Sequence, residues 1–429
     1  MAANPYDILA ERGFVAQVTD AEAVRALFAA GPVTVYTGYD PTAPSLHVGN
    51  LLTLMALKHL ERAGHRPLVV LGGGTAMVGD PSGKTEMRQL LDGDKIRENL
   101  AAQRVQIAHL LDVAGGGALV VDNAEWLLEL KYVDFLREIG RHFSVNRMLS
   151  AEAYKLRLER GLSFIEFNYQ LLQAYDFLQL RRRFDCRLQA GGDDQWGNIL
   201  AGVDLCRRVD GELVHGLTFP LLLTATGEKM GKTAAGAVWL DGARLSPFDY
   251  YQFWVNTHDD DVLRMLGYYT FLPMDQVRAV AKVEGEELNA AKSILAFEAT
   301  ALLHGREAAL AARAAAQGAF GGRSIPAGLL PASTIPREAS ADAQQIPTTQ
   351  LTPAELREGL TLVDVLVRIE LADSKNAARR LITQGAVRIN DAPASGVEQR
   401  LTVGDLGGEG LLIRAGKKKV HRVVCNADG

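Results

Sequence analysis

The chain has 429 residues, 48% of them hydrophobic, enough for two or three domains around a large core. No apolar run approaches the ~20 residues of a membrane span and no early stretch has the form of a signal peptide, while three scattered cysteines (Cys186, Cys206, Cys425) show neither pairing nor metal spacing. A cytoplasmic protein is therefore expected, and its formal net charge of −5 argues weakly against a nucleic-acid partner, although residues 360–429 carry +3 (11 Lys and Arg against 8 Asp and Glu) and leave −8 for the remainder.

From residue 33 to about 225, short apolar runs alternate with helical patterns. "VTVY" (33–36), "PLVVLGGG", "ALVVD" (118–122), "CRLQA" (186–190) and "FPLLLT" (219–224) are the predicted strands. This alternation predicts βαβ units and an α/β fold with a parallel sheet.

After the first strand comes "YDPTAPSLHVGNL". Its prolines end the strand, and Ser45 is the expected N-cap of a helix over residues 46–60. His47 and Asn50 then fall three residues apart in the first helical turn, where unpaired N–H groups and the helix dipole favour an anion. Gly49 would let a phosphate approach closely. Alone, H-x-G-N is equally a polar cap with a structural glycine.

"GDPSGKT" (79–85) imitates a phosphate-binding P-loop, but only three residues separate its glycines and no apolar helical pattern follows. "SFIEFNYQLLQAYDF" (163–177) is predicted helical. Tyr169, Gln173 and Asp176 share one stripe at i, i+4 and i+7. The stripe holds no Lys, Arg or Glu on an otherwise apolar helix, so a ligand, rather than solvent, is the expected partner of these polar groups.

"GGDDQWGN" (191–198) follows a strand and offers paired glycines at a strand's carboxyl end, where open α/β sheets bind ligands. "TGEKMGKT" (226–233) places Lys229 and Lys232 three apart in a glycine-containing loop. Two ammonium groups there would neutralise charge growing on a polyphosphate leaving group. Taken singly, the first is a tight turn and the second a solvated basic turn.

Helices are predicted over 246–321, opened by Ser246 and Pro247. A Pro-, Ser-, Ala- and Gly-rich linker occupies 322–353. Residues 354–429 then read as two short helices, the second capped by Ser374, and several strands.

Order and spacing together are more specific than any one motif. H-x-G-[HN] after the first strand and K-M-x-K-[ST] after the last resemble the signature pair of class I aminoacyl-tRNA synthetases. "YTGYDPTAPSLHVGNL", "VGDPSGK", "SFIEFNYQLLQAYDF" and "QAGGDDQWGN" are similar to the bacterial tyrosyl-tRNA synthetases. The resemblance implies a Rossmann-like catalytic domain over 1–245 and a helical tRNA-side domain over 246–321. Residues 354–429 resemble an RNA-binding module shared with a ribosomal small-subunit protein. There Arg379, Arg380, Arg388, Lys417, Lys418 and Lys419 would meet a phosphate backbone.

The resemblance also implies roles. Tyr36 and Asp176 would bond the phenolic hydroxyl of tyrosine. Asp80, Tyr169 and Gln173 would take its ammonium group, with Gln195 beside them in the same pocket. Thr42, His47, Asn50, Lys84, Arg88, Lys229 and Lys232 would surround the phosphates of ATP. Asp40, Gly191 and Asp194 would hold the ribose, and Gly38, Gly49, Met230 and Thr233 would complete the nucleotide site. Mg²⁺ would accompany ATP, with no metal site of the protein's own, and the enzyme would be a homodimer acting on tRNA. Two positions depart from the family pattern: Asn50 stands where His is frequent, and Gly231 where Ser is frequent. A small-molecule nucleotidyltransferase, a non-catalytic RNA-binding protein and a tryptophan-specific relative are the rival readings. The tail, the 169/173/176 stripe, the intact lysines and the Tyr36–Asp176 pair oppose them.

Overall fold

A computed structural model describes residues 3–82, 91–149, 154, 158, 161–223, 230, 232–233, 236–320, 324–337, 347–352, 355, 360–390, 392–402, 405, 410–416 and 419–425. Two compact units emerge. The first comprises Met1–Ser246, Thr257–Val283 and Leu330–Ala332; the second comprises Pro247–Asn256, Glu284–Leu329 and Ser333–Gly429. The expected helical domain 246–321 is thus divided between the two.

The first unit is built on a six-stranded sheet: β1 (Gln17–Val18), β2 (Thr34–Tyr39), β3 (Arg66–Leu71), β4 (Leu119–Asp122), β5 (Cys186–Gly192) and β6 (His215–Phe219), in the order β1-β6-β5-β2-β3-β4. All neighbours are parallel except β1, which runs antiparallel to β6. Strands such as "RPLVVL" and "TVYTGY" are buried almost throughout, as expected of a sheet covered on both faces. Chain order reverses between β2 and β5, and that is where the carboxyl ends of parallel strands open a crevice.

The predicted strand "FPLLLT" begins where β6 ends, at Phe219, so the strand lies a few residues earlier than expected. Pro220 has no N–H to give to the ladder, so the chain leaves the sheet there. The helix after β2 also differs from expectation. It runs Val48–Arg62, and His47 rather than Ser45 is its cap.

Glycines 72–74 follow β3, and each is dictated by a different neighbour. A Cβ at Gly72 would fall 2.2 Å from the Asp40 carboxylate, one at Gly73 2.3 Å from Asp122, and one at Gly74 3.0 Å from Leu127.

The second unit holds the helices Pro247–Val255, Gly285–His304 and Arg306–Phe320 and a five-stranded sheet. That sheet orders β11 (Ala392–Pro393), β10 (Val387–Ile389), β12 (Leu411–Ala415), β13 (Lys419–Cys425) and β9 (Thr348–Leu351). Two helices, Leu362–Arg368 and Lys375–Thr383, pack on it, and their apolar faces join Leu411, Ile413 and Val423 in one core. Ser374 caps the second helix as the sequence predicts, accepting from the N–H of Ala377. Thr348–Leu351, expected within the linker, is instead an edge strand pairing with β13 in parallel. Its Thr-Thr-Gln-Leu composition suits a half-buried pleated edge better than a linker.

Candidate active site

At the carboxyl ends of β2, β5 and β6 the first unit encloses a cavity of about 910 Å³. Tyr36, Gly38, Asp40, Thr42, His47, Gly49, Asn50, Asp80, Tyr169, Gln173, Asp176, Gly191, Asp194, Gln195 and Met230 all line it. The structure therefore brings together the residues expected for tyrosine and most of those expected for ATP. Lys84, Arg88, Lys229 and Gly231 lie outside the described residues, and Lys232 and Thr233 are described only as backbone in the short strand β7 (Lys232–Thr233), which pairs antiparallel with β8 (Gly236–Ala237). Among the described residues the wall carries four aspartates (Asp40, Asp80, Asp176, Asp194) and His47 but no lysine or arginine.

The turn after β2 is organised by a reciprocal cap. The imidazole Nδ1 of His47 accepts from the N–H of Gly49 at 3.1 Å, and the Oδ1 of Asn50 accepts from the N–H of His47 at 3.0 Å. With Nδ1 accepting, the neutral ring carries its proton on Nε2, which becomes a donor. Asn50 likewise commits its oxygen to the cap and keeps its N–H₂ to donate elsewhere. A Cβ at Gly49 would approach the His47 ring to 2.9 Å, so this cap requires glycine there.

The segment after the basic loop reaches this same turn. His47 and Trp239 form an antiparallel bridge, the N–H of Val48 donates to the carbonyl of Val238 at 3.0 Å, and that of Leu240 to Leu46 at 2.9 Å. Tyr269, fully buried, donates its hydroxyl to the Val48 carbonyl at 3.0 Å. The first signature motif is thus joined by backbone hydrogen bonds to Val238–Leu240, the segment that follows the second motif in sequence.

Asp176 sits on the helix Phe164–Phe184, which opens with a capping box between Ser163 and Glu166. Its carboxylate accepts from Asn123 Nδ2 at 2.9 Å and Trp126 Nε1 at 2.7 Å. Burial nevertheless pushes its pKa up to about 7, with the two hydrogen bonds opposing. Tyr36 lines the same cavity, and its buried hydroxyl has no hydrogen-bond partner among the described residues. Burial, and then the charge of Asp176, raise the Tyr36 pKa well above its ordinary value.

The remaining polar groups interlock. Asp80 accepts from Gln195 Nε2 at 2.8 Å and from the N–H of Ser82 at 2.9 Å. Gln173 Oε1 accepts from Asn198 at 3.0 Å. Asp40 accepts from the Tyr169 hydroxyl at 3.0 Å and the Thr75 hydroxyl at 2.7 Å. Of the adjacent Asp193 and Asp194, the first turns away to Gln17 and Thr218 and ties β1 to β6, while the second lines the cavity.

Sequence reasoning missed Asn123, Trp126, Thr75 and Asn198. Asn123 is the most connected of these: its oxygen accepts from the N–H of Gly74, and its nitrogen donates to Thr75 and Asp176. A signal existed, since "DNAEW" directly follows β4 at the carboxyl edge of the sheet, where functional groups collect.

In the second unit, Arg379 and Arg380 stand exposed on the helix Lys375–Thr383, opposite its buried Ala378 and Ile382. Arg388 in β10 and Lys419 at the start of β13 are exposed as well; Lys417 and Lys418 lie outside the described residues.

Comparison with known proteins agrees along the whole chain. The family "tRNA synthetases class I (W and Y)" matches residues 29–321, and the "Tyrosine--tRNA ligase SYY-like C-terminal domain" matches 338–423. A tyrosine–tRNA ligase of Desulfosudis oleivorans is 54% identical over 424 residues, which is 97% of this chain and 98% of that one. One of Syntrophus aciditrophicus is 53% identical over 97% of each. Among solved structures, a C-terminally truncated mitochondrial tyrosyl-tRNA synthetase of Aspergillus nidulans superposes with TM-score 0.65 at 31% identity, covering 72% of this chain and 92% of that one.

Proposed function

The chain belongs to the tyrosine–tRNA ligases of the class I tRNA synthetases, and we propose that its residues divide the ligase reaction as follows. The overall activity is formation of tyrosyl-tRNA with ATP as substrate. Tyrosine lies with its phenol at Asp176 and Tyr36. The phenolic O–H donates to the Asp176 carboxylate, and the Tyr36 hydroxyl donates to the phenolic oxygen. The observation that carries this reading is the buried Tyr36 hydroxyl, which has no hydrogen-bond partner among the described residues and lies in the same cavity as Asp176. A buried polar group without a partner costs stability, and a ligand that supplies one regains it. Phenylalanine would leave the Tyr36 hydroxyl without a partner and would bring no O–H to Asp176, whose carboxylate keeps only Asn123 and Trp126. Asp80, Tyr169, Gln173 and Gln195 receive the ammonium and carboxylate end.

The tyrosine carboxylate oxygen attacks the α-phosphorus. The bond to the bridging oxygen breaks, and its electron pair leaves on pyrophosphate. No side-chain nucleophile is required, so catalysis is positioning plus stabilisation of developing charge. His47 Nε2–H, the Asn50 N–H₂ and Thr42 donate to phosphate oxygens, and Asp40, Gly191 and Asp194 hold the ribose. The aspartate-rich wall supports assigning the balancing positive charge to Lys84, Arg88, Lys229 and Lys232, with Mg²⁺ arriving on the ATP.

The second unit holds tRNA through Arg379, Arg380, Arg388 and Lys417–Lys419, and the chain works in the cytoplasm as a homodimer. Support for the dimer comes from Tyr132, Val133, Val145 and Phe164, large apolar side chains between 56% and 72% exposed on one stretch of the first unit. Pyrophosphate exchange measured with each of the twenty amino acids tests the whole assignment. Exchange driven by tyrosine alone is expected, and equal exchange with phenylalanine or tryptophan would overturn the placement of Tyr36 and Asp176.

A further inference from the structure

The turn at residues 41–46 carries Thr42 and leads into His47, yet it lies in neither helix nor strand. Pro41 and Pro44 have no N–H, and the carbonyls of Pro41, Ala43 and Pro44 lie in no strand ladder. Buried carbonyls need donors from somewhere.

The donors come from one face of the helix Gly93–Leu110. Asn99 Nδ2 donates to the Pro41 carbonyl at 3.0 Å, Gln103 Nε2 to the Ala43 carbonyl at 2.8 Å, and Gln106 Nε2 to the Pro44 carbonyl at 3.4 Å. Gln106 also accepts, through Oε1, from the N–H of Leu46 at 2.9 Å and from the Ser45 hydroxyl at 3.3 Å. Residues 99, 103 and 106 fall at i, i+4 and i+7, a single stripe. Asn99 and Gln103 are almost wholly buried, and Gln103 reaches the cavity wall.

We propose that Asn99, Gln103 and Gln106 are positioning residues for adenylate formation: a ladder of three amides that fixes the turn bearing Thr42 and His47 against the phosphates of ATP. The proposal rests on the placement of Thr42 and His47 given above. An amide suits this task because it donates to a carbonyl without bringing a net charge near a polyanion. Misplacement of a catalytic group by about 1 Å costs on the order of 100-fold in rate.

The test is Gln103→Met, which keeps the length of the side chain and removes the donor. It is read by single-turnover adenylate formation at saturating tyrosine, well below the variant's own melting temperature. Equilibrium tyrosine binding is measured alongside, and a Thr42→Ala/His47→Ala variant serves as reference. A fall of about 10- to 100-fold in adenylate formation is expected, with tyrosine affinity held within about twofold. Adding Gln103→Met to the reference variant should then cost less than about threefold, because the turn it positions no longer carries its working groups. A rate within twofold of the parent, a parallel loss of tyrosine affinity, or an undiminished effect on the reference background would overturn the ladder. If the reference variant itself forms adenylate at the parental rate, the placement of Thr42 and His47 fails instead, and the ladder with it. Should Gln103→Met not fold, the half-buried Gln106→Met carries the same test with the same outcomes.

Discussion

His47 and Asn50 are each other's cap: the imidazole takes the N–H of Gly49, and the Asn50 carbonyl oxygen takes the N–H of His47. The three-residue spacing that marks the signature motif is therefore a helix-capping spacing as well. The proposed phosphate contacts would use other atoms of the same side chains, so capping and phosphate binding can be separated by mutation.

Asn50→Asp retains the oxygen that accepts from His47 but replaces the N–H₂ by a second anionic oxygen. Thermal stability should be unchanged or slightly higher, since a carboxylate in the first turn favours the helix dipole. Adenylate formation should fall steeply. Asn50→Ala should lose both, with about 1 kcal/mol less stability. Thermal denaturation and pyrophosphate exchange on the two variants check the separation. An Asp variant as active as the parent would remove Asn50 from the phosphate site.

Tyr36→Phe removes a buried hydroxyl that has no hydrogen-bond partner among the described residues. The unliganded protein should be as stable as the parent or more so, while tyrosine binds roughly 10-fold more weakly for the loss of about 1 to 1.5 kcal/mol of hydrogen bonding. Calorimetry with and without tyrosine reads both effects. Asp176→Ala should be far more severe, abolishing tyrosine-dependent exchange, because Asn123 and Trp126 then also lose their acceptor.

The pKa of Asp176 is raised from 3.8 to about 7 by burial. The folded state thus holds this proton more tightly than the unfolded chain. The stability contributed by the group is fully present below about pH 4 and is lost as pH rises through about 7. Tyrosine affinity should move in the opposite sense, growing between pH 6 and 8 as the acceptor ionises. Titrating tyrosine binding against pH in the parent and in Asp176→Asn checks this: the parent should show an inflection near 7 and the variant none.

A chain ending near residue 340 keeps every residue lining the cavity, all of which lie before Leu240. It should still make tyrosyl-adenylate and should charge tRNA poorly. In the full chain, neutralising Lys417, Lys418 and Lys419 together should raise the KM for tRNA and flatten its salt dependence, with pyrophosphate exchange untouched. Equal aminoacylation by the truncated and full chains would remove the tail from the tRNA site.

Phe164→Asp places a charge on the exposed apolar stretch, where the large ring of Phe164 is 69% exposed. Sedimentation should show a dimer for the parent and a smaller species for the variant. A dimer undisturbed by this change would move the interface elsewhere.

Local pattern was enough for much of this molecule. The parallel sheet follows from apolar runs alternating with helical periods, the Phe164–Phe184 helix from its apolar faces, and the Ser374 cap from residue type and spacing, because each depends on neighbours within a turn or two. The stripe Tyr169, Gln173, Asp176 was legible for the same reason. Three things were settled only by tertiary structure. Ser45 and His47 are both capable caps, and the choice went to His47 because Ser45 and Leu46 are engaged by Gln106 from a helix 60 residues away. Asp194 was singled out by family resemblance alone, and the turn of its neighbour Asp193 away from the cavity was decided by Thr218 and Gln17, which claim it for the sheet. Asn123, Trp126 and the amides of Asn99, Gln103 and Gln106 gained their roles from partners 50 to 62 residues away in sequence, paired by the folded backbone rather than by any spacing. Buried polar groups take whatever partner the fold places within reach, and no local spacing encodes a partner on another element.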